Sequence, residues 1–233
     1  YQPIFSVSGL EGAVYEITAA EDIVTLDGTV RANKGEVVDT VTTGKDGTVK
    51  SKELYLGKYE VKEITAPYGM VLNEEVRSVE LVYAGQNVDV TETATSFYNE
   101  RQRVEIDLIK SLAIDEAYGI GKNGEIFDVT FGLYAAEELT AADGKTIPAD
   151  GLIADVSLNE NMTAVIAEKI PFGKYYVQEI ATDEHYVLNG EKYLVDFEYM
   201  GQEVTTVNID CGQFENELKR GTVSYTHLRA HET

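Results

Sequence analysis

The sequence predicts an all-β protein built from two tandem immunoglobulin-like β-sandwich domains. Short stretches of alternating apolar residues, rich in Thr, Val and Tyr, are separated by Gly-containing turn signals. No long stretch of helical period is bounded by capping residues. The predicted strands lie at 13–17, 59–64, 78–83 and 87–91, with a closing strand at 96–99. Several strands at this spacing in about a hundred residues are typical of a β-sandwich.

The second observation is that the chain repeats itself after a shift of 116 residues. One extra residue near the end of the second copy changes the shift to 117. The matching segments are Val14–Leu72 with Thr130–Leu188, Tyr83–Gln86 with Tyr199–Gln202, and Phe97–Glu100 with Phe214–Glu217. We therefore expect one domain at residues 1–100 and a second at 101–221. The connection at Glu100–Arg103 is so short that the pair should form a semi-rigid rod.

Residues 222–233 form a segment of their own. They are either the start of a further repeat or an artefactual tail that is no part of the natural protein. His227 and His231, which lie in this segment, are for that reason not interpreted as a metal-binding pair.

Composition excludes several classes of function. The formal net charge of −22 over 233 residues disfavours binding to nucleic acid and electrostatic docking on anionic lipid. The single cysteine, Cys211, excludes an intramolecular disulfide and a cysteine-rich zinc site. We predict no metal and no cofactor, because no phosphate loop, calcium loop or histidine cluster is present, and no apolar run is long enough to span a membrane.

Three polar residues fall on the predicted core faces of strands. Side chains two residues apart share a face of a strand, so these residues point inward with their apolar neighbours. In the second repeat they are Lys110 (with Ile106 and Leu108), Glu179 (with Tyr175 and Val177) and Asn216 (with Phe214). In the first repeat, Glu63 and Asn99 occupy the matching positions.

Burial favours the neutral forms of the lysine and the glutamate, and these forms can react with the asparagine. It lowers the pKa of a lysine and raises that of a glutamate, and so favours a neutral amine and a protonated carboxyl. A neutral amine is a nucleophile, and a carboxyl group that polarises the Asn216 amide and moves protons would let the amine displace ammonia. The product would be a Lys–Asn isopeptide bond closing a loop of about a hundred residues, by analogy with disulfide loop closure.

Ordinary interpretations exist for each residue taken alone. A strand glutamate is often a solvated edge residue, a lysine can extend its amine to the rim of the core, and an asparagine near a strand end is commonly a turn residue. The cross-link hypothesis depends on the recurrence of the glutamate and asparagine at matched positions in both repeats.

At these residues the sequence resembles the Cna B-type, or SpaA-like prealbumin-fold, domains of Gram-positive surface proteins and pilins. The motifs that carry the resemblance are Leu10–Tyr15, the signature Gly57–Leu72 with Glu63, and the closing strand Ser96–Asn99. The resemblance implies a prealbumin-like β-sandwich with an intramolecular isopeptide bond. Carried over, Lys110 is the amine donor, Glu179 the catalytic acid and Asn216 the acceptor, while Glu63 and Asn99 match the same roles in the first repeat.

The sequence departs from this pattern in two places. The second repeat has Ala181–Tyr186 where an Ala-Pro-x-Gly turn is expected. In the first repeat the matching lysine would precede Tyr1, so we expect the donor strand to be missing. We therefore predict that the first domain forms no such bond in this chain. Glu63 and Asn99 should then lie near an uncovered sheet edge, which is an aggregation liability.

The resemblance implies structural stalk modules of an adhesin or pilin-like protein on the wall of a Gram-positive bacterium, secreted and anchored outside this segment. A host matrix protein or glycan would be bound by other parts of the full protein. The alternative is a ligand-binding β-sandwich whose loops engage such a partner themselves. We predict no enzyme activity beyond one self-directed turnover.

Overall fold

A computed structural model describes residues 1, 3–141, 143–167 and 169–227. The regular secondary structure is almost entirely β-strand, with one short 3-10 turn in the described residues, which confirms the predicted fold class. His231 and the rest of the predicted tail beyond residue 227 lie outside the described residues. No helix in the described part of the chain is long and apolar enough to cross a membrane.

The first repeat contains one four-stranded antiparallel sheet, in the order β4-β1-β5-β6, and a small two-stranded ribbon, β2-β3. Side chains alternate along β5, whose Tyr59, Val61 and Glu63 are buried while the residues between them are exposed. The strands are β1 (Val14–Ala19), β2 (Ile23–Val24), β3 (Val30–Ala32), β4 (Val37–Thr42), β5 (Gly57–Thr65) and β6 (Val76–Leu81).

The second repeat contains the equivalent sheet and a second one. The four-stranded sheet has the order β11-β8-β13-β14, the opposing sheet has the order β12-β7-β15, and β9 pairs with β10. In chain order the elements are β7 (Arg103–Leu112), a 3-10 turn at Glu125–Asp128, β8 (Thr130–Ala135), β9 (Leu139–Thr140), β10 (Thr146–Ile147), β11 (Leu152–Ser157), β12 (Thr163–Ile166), β13 (Gly173–Ala181), β14 (Tyr193–Phe197) and β15 (Thr206–Asn216).

The core of the second repeat lies between its two sheets. Strand β7 contributes Val104, Ile106 and Leu108, all of them buried, and β15 contributes Phe214. These side chains pack against the inner face of β8 and β13, where the alternate residues are also buried. Both faces of the sandwich therefore follow the period of two that the sequence predicts.

The first repeat has no counterpart of the β12-β7-β15 sheet among its described residues. Residues 47–50 and 89–99, which match β12 and β15, are not strands. The strands predicted at 87–91 and 96–99 are therefore wrong. Strand β7 is the central strand of its sheet and pairs with both neighbours. Without a matching strand between them, the two flanking segments have no ladder to join, because a strand needs a partner for its backbone hydrogen bonds.

Candidate functional site

Three buried polar side chains meet between the sheets of the second repeat. Lys110 is 2% exposed, Glu179 2% and Asn216 1%. They come from three different strands, β7, β13 and β15, and each occupies the inward position that alternation predicts. The structure thus brings together the three residues that the sequence singled out.

Strand pairing places the lysine beside the asparagine. Strand β15 runs parallel to β7, with Phe214 opposite Lys110 and Asn216 opposite Leu112. The register shifts between Asp210 and Gln213, where the strand has a bulge. A one-residue shift exchanges the two faces of a strand, so the bulge turns Phe214 and Asn216 toward the core.

This bulge also explains a detail of the repeat. The offset between the two copies changes from 116 to 117 between the Gln86/Gln202 match and the Phe97/Phe214 match. The register shift in β15 lies within that interval. The extra residue of the second repeat is thus accommodated as the bulge.

The reacting groups of Lys110 and Asn216 are in contact. Lys110 Nζ donates a hydrogen bond to Asn216 Oδ1, and it also lies 3.3 Å from the Phe214 carbonyl oxygen. Burial lowers the pKa of Lys110, while the negative charge of Glu179 opposes this shift. The amine is therefore both close to the amide and biased toward its neutral, nucleophilic form.

Glu179 lies against both partners. Its Oε1 accepts a hydrogen bond from Asn216 Nδ2 at 2.5 Å, and its Oε2 lies 3.3 Å from Lys110 Nζ. Oε2 is fully buried and accepts no well-directed hydrogen bond from the described residues, so the ion pair to Lys110 is its main contact. This carboxyl group can reach the nitrogen that would be acylated and the nitrogen that would leave.

Backbone and side-chain groups that sequence reasoning missed complete the site. The Asn189 N–H donates to Glu179 Oε1 at 3.2 Å. Asn216 Nδ2 also donates to the Val187 carbonyl at 2.9 Å and to Thr182 Oγ1 at 3.2 Å. The available signal was the Val-Leu-Asn sequence that both repeats contain, at 71–73 and 187–189.

The first repeat contains the same arrangement without a lysine. Glu63 Oε2 accepts hydrogen bonds from Asn99 Nδ2 and from the Asn73 N–H, both at 2.7 Å. The Tyr15 hydroxyl lies 3.4 Å from Glu63 Oε1, and burial together with the Glu63 charge raises the pKa of Tyr15 to about 12. No lysine of the described residues forms an ion pair with Glu63.

The comparisons with known proteins agree with this fold. The family described as "SpaA: Prealbumin-like fold domain" matches residues 6–95 and 118–210, one match in each repeat. The chain therefore belongs to the SpaA prealbumin-like fold domain family. A search of curated proteins finds no match.

Among the similar solved structures, the first one described here shows the same fold. The TIE protein of Bacillus anthracis aligns with 91% of this chain at 23% identity and a TM-score of 0.53, and the chain spans 31% of that protein. GBS52, the minor pilin of Streptococcus agalactiae, aligns with 97% of this chain and 92% of its own, at 17% identity and a TM-score of 0.36. A C-terminal fragment of the pilus adhesin SpaC from Lactobacillus rhamnosus GG aligns with 91% of each chain, at 13% identity and a TM-score of 0.43.

Proposed function

We propose that the two repeats are stalk modules of a bacterial surface protein and that Lys110 and Asn216 join to form an isopeptide bond. The observation that carries the proposal is the fully buried contact among Lys110, Glu179 and Asn216. An unreacted buried ion pair is costly to maintain when one of its oxygens accepts no well-directed hydrogen bond, as is the case at Glu179 Oε2. A neutral amide cross-link removes that cost.

The reaction balances with the groups present. A proton passes from Lys110 Nζ to Glu179, and the neutral amine attacks Asn216 Cγ. The Nζ–Cγ bond forms, and the Cγ–Nδ2 bond breaks as Glu179 returns a proton to Nδ2. Of the other two protons on Nζ, one passes to Glu179, which ends protonated, and one stays on the new amide nitrogen. One ammonia leaves, and nothing is oxidised or reduced. Glu179, within reach of both nitrogens, is the proton carrier.

The cross-link would join β7 to the end of β15, the two neighbouring strands of one sheet. The two residues are 106 positions apart in the chain. Closing a loop of this length stabilises a fold by about 4–5 kcal/mol in the loop-entropy account of disulfides. A module closed in this way resists unfolding under tension without needing an oxidising environment, which fits a structural role and not catalysis on a substrate.

Location and partners follow as part of the same proposal. The stalk would lie outside a Gram-positive cell, attached to the wall by parts of the protein beyond this segment. Other parts of the full protein would bind a host matrix protein or a glycan. Arrays of matrix proteins and glycans test this assignment: we expect no binding to this chain, and tight binding that maps to its loops would favour the ligand-binding alternative.

Intact mass spectrometry of the full chain tests the cross-link. The wild-type chain should be lighter than its sequence by one ammonia, and digestion should release the Lys110 and Asn216 peptides as one joined species. Glu179→Gln should restore the full mass. The matched control is Glu63→Gln in the first repeat, which should leave the loss of one ammonia unchanged.

Circular dichroism of each variant shows whether it is folded. A folded wild-type chain with the full sequence mass would overturn the proposal. So would a Glu179→Gln chain that still loses ammonia and still yields the joined peptide, since the carboxyl group would then be unnecessary.

A further inference from the structure

A loop of the second repeat, Tyr199–Gln202, lies against the first repeat. We call this segment the docking loop, and we call Ile64–Leu72, the segment that it contacts, the receiving turn. The two segments belong to different repeats and meet beside the connection between them. They form an interface that is independent of the buried Lys110 site.

Gln202 binds the backbone of the receiving turn through three hydrogen bonds. Its Oε1 accepts from the Ala66 N–H at 2.8 Å, and its Nε2 donates to the Ile64 carbonyl at 3.2 Å. The Leu72 N–H donates to the Gln202 carbonyl at 3.0 Å. One residue thus satisfies three backbone groups of the receiving turn, at Ile64, Ala66 and Leu72.

Aromatic residues close the rest of this interface. The Tyr199 hydroxyl donates to the Met70 carbonyl at 2.6 Å, and its ring lies 5.0 Å from that of Tyr68. Phe172 packs over Gly69, where a Cβ atom would lie 2.9 Å from Phe172 Cε2. Gly69 also has φ +84°, so a glycine is needed here for both the backbone and the ring contact.

Gln102 lies in the short connection between the repeats, and its side chain stabilises the conformation of the docking loop by hydrogen bonds to the backbone. Its side chain is buried, and Nε2 donates to the carbonyls of Gly201 and Val204 at 3.0 and 2.8 Å. Its Oε1 accepts from the Met200 N–H at 2.9 Å. All of these contacts are to loop backbone, so they do not depend on the loop's side chains.

The first repeat contains a loop that is nearly identical and uncovered. Tyr83–Gln86 reads Tyr-Ala-Gly-Gln where the docking loop reads Tyr-Met-Gly-Gln. Both loops make the same turn, with the Val88 N–H donating to Gly85 and the Val204 N–H to Gly201, at 3.2 and 3.3 Å.

The first-repeat residues that match Tyr199, Phe172 and Gln202 are exposed. Tyr83 is 68% exposed, and Leu56, the match of Phe172, is 49% exposed. Gln86 is exposed and its side chain has no hydrogen-bond partner among the described residues. The first repeat therefore presents the same pattern of groups, and they are exposed in the part of the chain that the structure describes.

We propose that Tyr83–Gln86 is a docking surface for the Ala-Pro-x-Gly turn of another repeat of this family. The Gln86 carboxamide would bind the backbone of that turn as Gln202 binds Ile64 and Ala66. Tyr83 and Leu56 would cover its glycine. The interface between the two repeats shown here would thus recur at the other end of the first repeat.

The turn of the second repeat does not offer the same fit. The position of Gly69 is occupied there by His185, and that of Pro67 by Asp183. At Gly69 a Cβ atom would lie 2.9 Å from the Phe172 ring. We expect a side chain at the matching position of an occupant to be crowded by Leu56, the match of Phe172. The expected occupant is therefore a turn with glycine at this position, such as 66–70.

The proposal can be tested by giving the docking loop of the second repeat the residues of the first-repeat loop, because the docking loop already contacts the receiving turn. Met200→Ala makes the docking loop identical to Tyr83–Gln86, and adding Phe172→Leu reproduces Leu56. Residual dipolar couplings measured on strands of each repeat report whether the repeats share one alignment tensor and so tumble as one body. We expect equal tensors for wild type, for Met200→Ala and for the double variant.

Gln202→Ala in the double variant should make the two tensors unequal, because the carboxamide contacts are lost. Gly69→His, which copies His185, should do the same. The matched control is Gln86→Ala, the same change in the uncovered loop, which should leave the tensors equal.

Backbone chemical shifts of β5 and β13 report that each variant is folded. If the double variant fails to fold, Met200→Ala alone decides, because Met200 is 60% exposed and its loss changes only the loop. The proposal is overturned if the substituted loop uncouples the repeats, or if Gln202→Ala leaves them coupled.

Discussion

The two repeats share a four-stranded sheet and differ in what packs against it. In the second repeat Leu133 and Val177 are fully buried beneath β7 and β15, whereas the matching Ile17 and Val61 of the first repeat stay 8% and 9% exposed. The four-stranded sheet forms in both. The comparison teaches that this sheet needs only its own strands, while the opposing sheet depends on a central strand that pairs with two neighbours.

The largest effect is expected when the first repeat is given the central strand that it lacks. In a chain where residues 103–129 replace residues 1–13 ahead of Val14, the first repeat gains a β7, and the splice keeps the repeat in register. Burying its three apolar residues contributes about 1.5–3 kcal/mol each. Residues 89–99 should then become protected from hydrogen exchange.

Under the proposed chemistry, the supplied lysine would also meet Glu63 and Asn99, and the chain would lose a second ammonia. The control carries Leu108→Asp on the added strand only, which should prevent both effects. If the added strand forms and residues 89–99 still exchange freely, the missing central strand is not the reason that these residues form no strand.

The next largest effect is expected from a variant that would prevent the proposed cross-link in the second repeat. Glu179→Gln should destabilise the second repeat by about 4–5 kcal/mol through the lost loop closure. Glu63→Gln should cost the first repeat about 1 kcal/mol, the usual cost of altered hydrogen bonds. Chemical denaturation followed by hydrogen exchange in each repeat measures both. Equal losses in the two repeats would contradict a cross-link confined to the second.

Much of the site could be predicted because it depends on short-range alternation. The period of two placed Lys110, Glu179 and Asn216 inward, and the structure brings them together. The parallel pairing of β7 with β15 was not predictable, because strand order and register depend on the whole sheet. For the same reason, the pattern at 87–91 predicted a strand that the structure does not have.

The contacts of Asn189 with Glu179 were missed on other grounds. A backbone N–H leaves no residue-type signal in a sequence, and only the repeated Val-Leu-Asn segment indicated that the position mattered. The bulge in β15 was visible as the extra residue of the second repeat. Its consequence, the reversal of the two faces, required the register.

A smaller difference is expected between matched aromatic residues. Phe214 is fully buried, with Tyr193 and Phe131 at ring distances of 3.8 and 4.9 Å, whereas Phe97 is half-buried and packs on Tyr15 at 4.8 Å. Phe214→Ala should cost the second repeat about 3–5 kcal/mol, the usual range for a core phenylalanine. Phe97→Ala should cost the first repeat less, about 1 kcal/mol, because a half-buried ring has less apolar surface to lose. Urea denaturation monitored separately in each repeat would contradict the comparison if the losses were equal.

The smallest effect concerns the pH dependence of the first repeat. Tyr15 has a folded-state pKa of about 12, raised by burial and by Glu63 from the ordinary value of about 10, while its match in the second repeat is Phe131. A raised pKa means that this contribution to stability is complete below about pH 10 and is lost as pH rises toward about 12. Tyr15→Phe should therefore reduce the loss of first-repeat stability across this interval, because the remaining tyrosines titrate alike in both chains. The measurement is the free energy of unfolding of the first repeat at several pH values, and parallel curves for the two chains would show that Tyr15 does not carry the dependence.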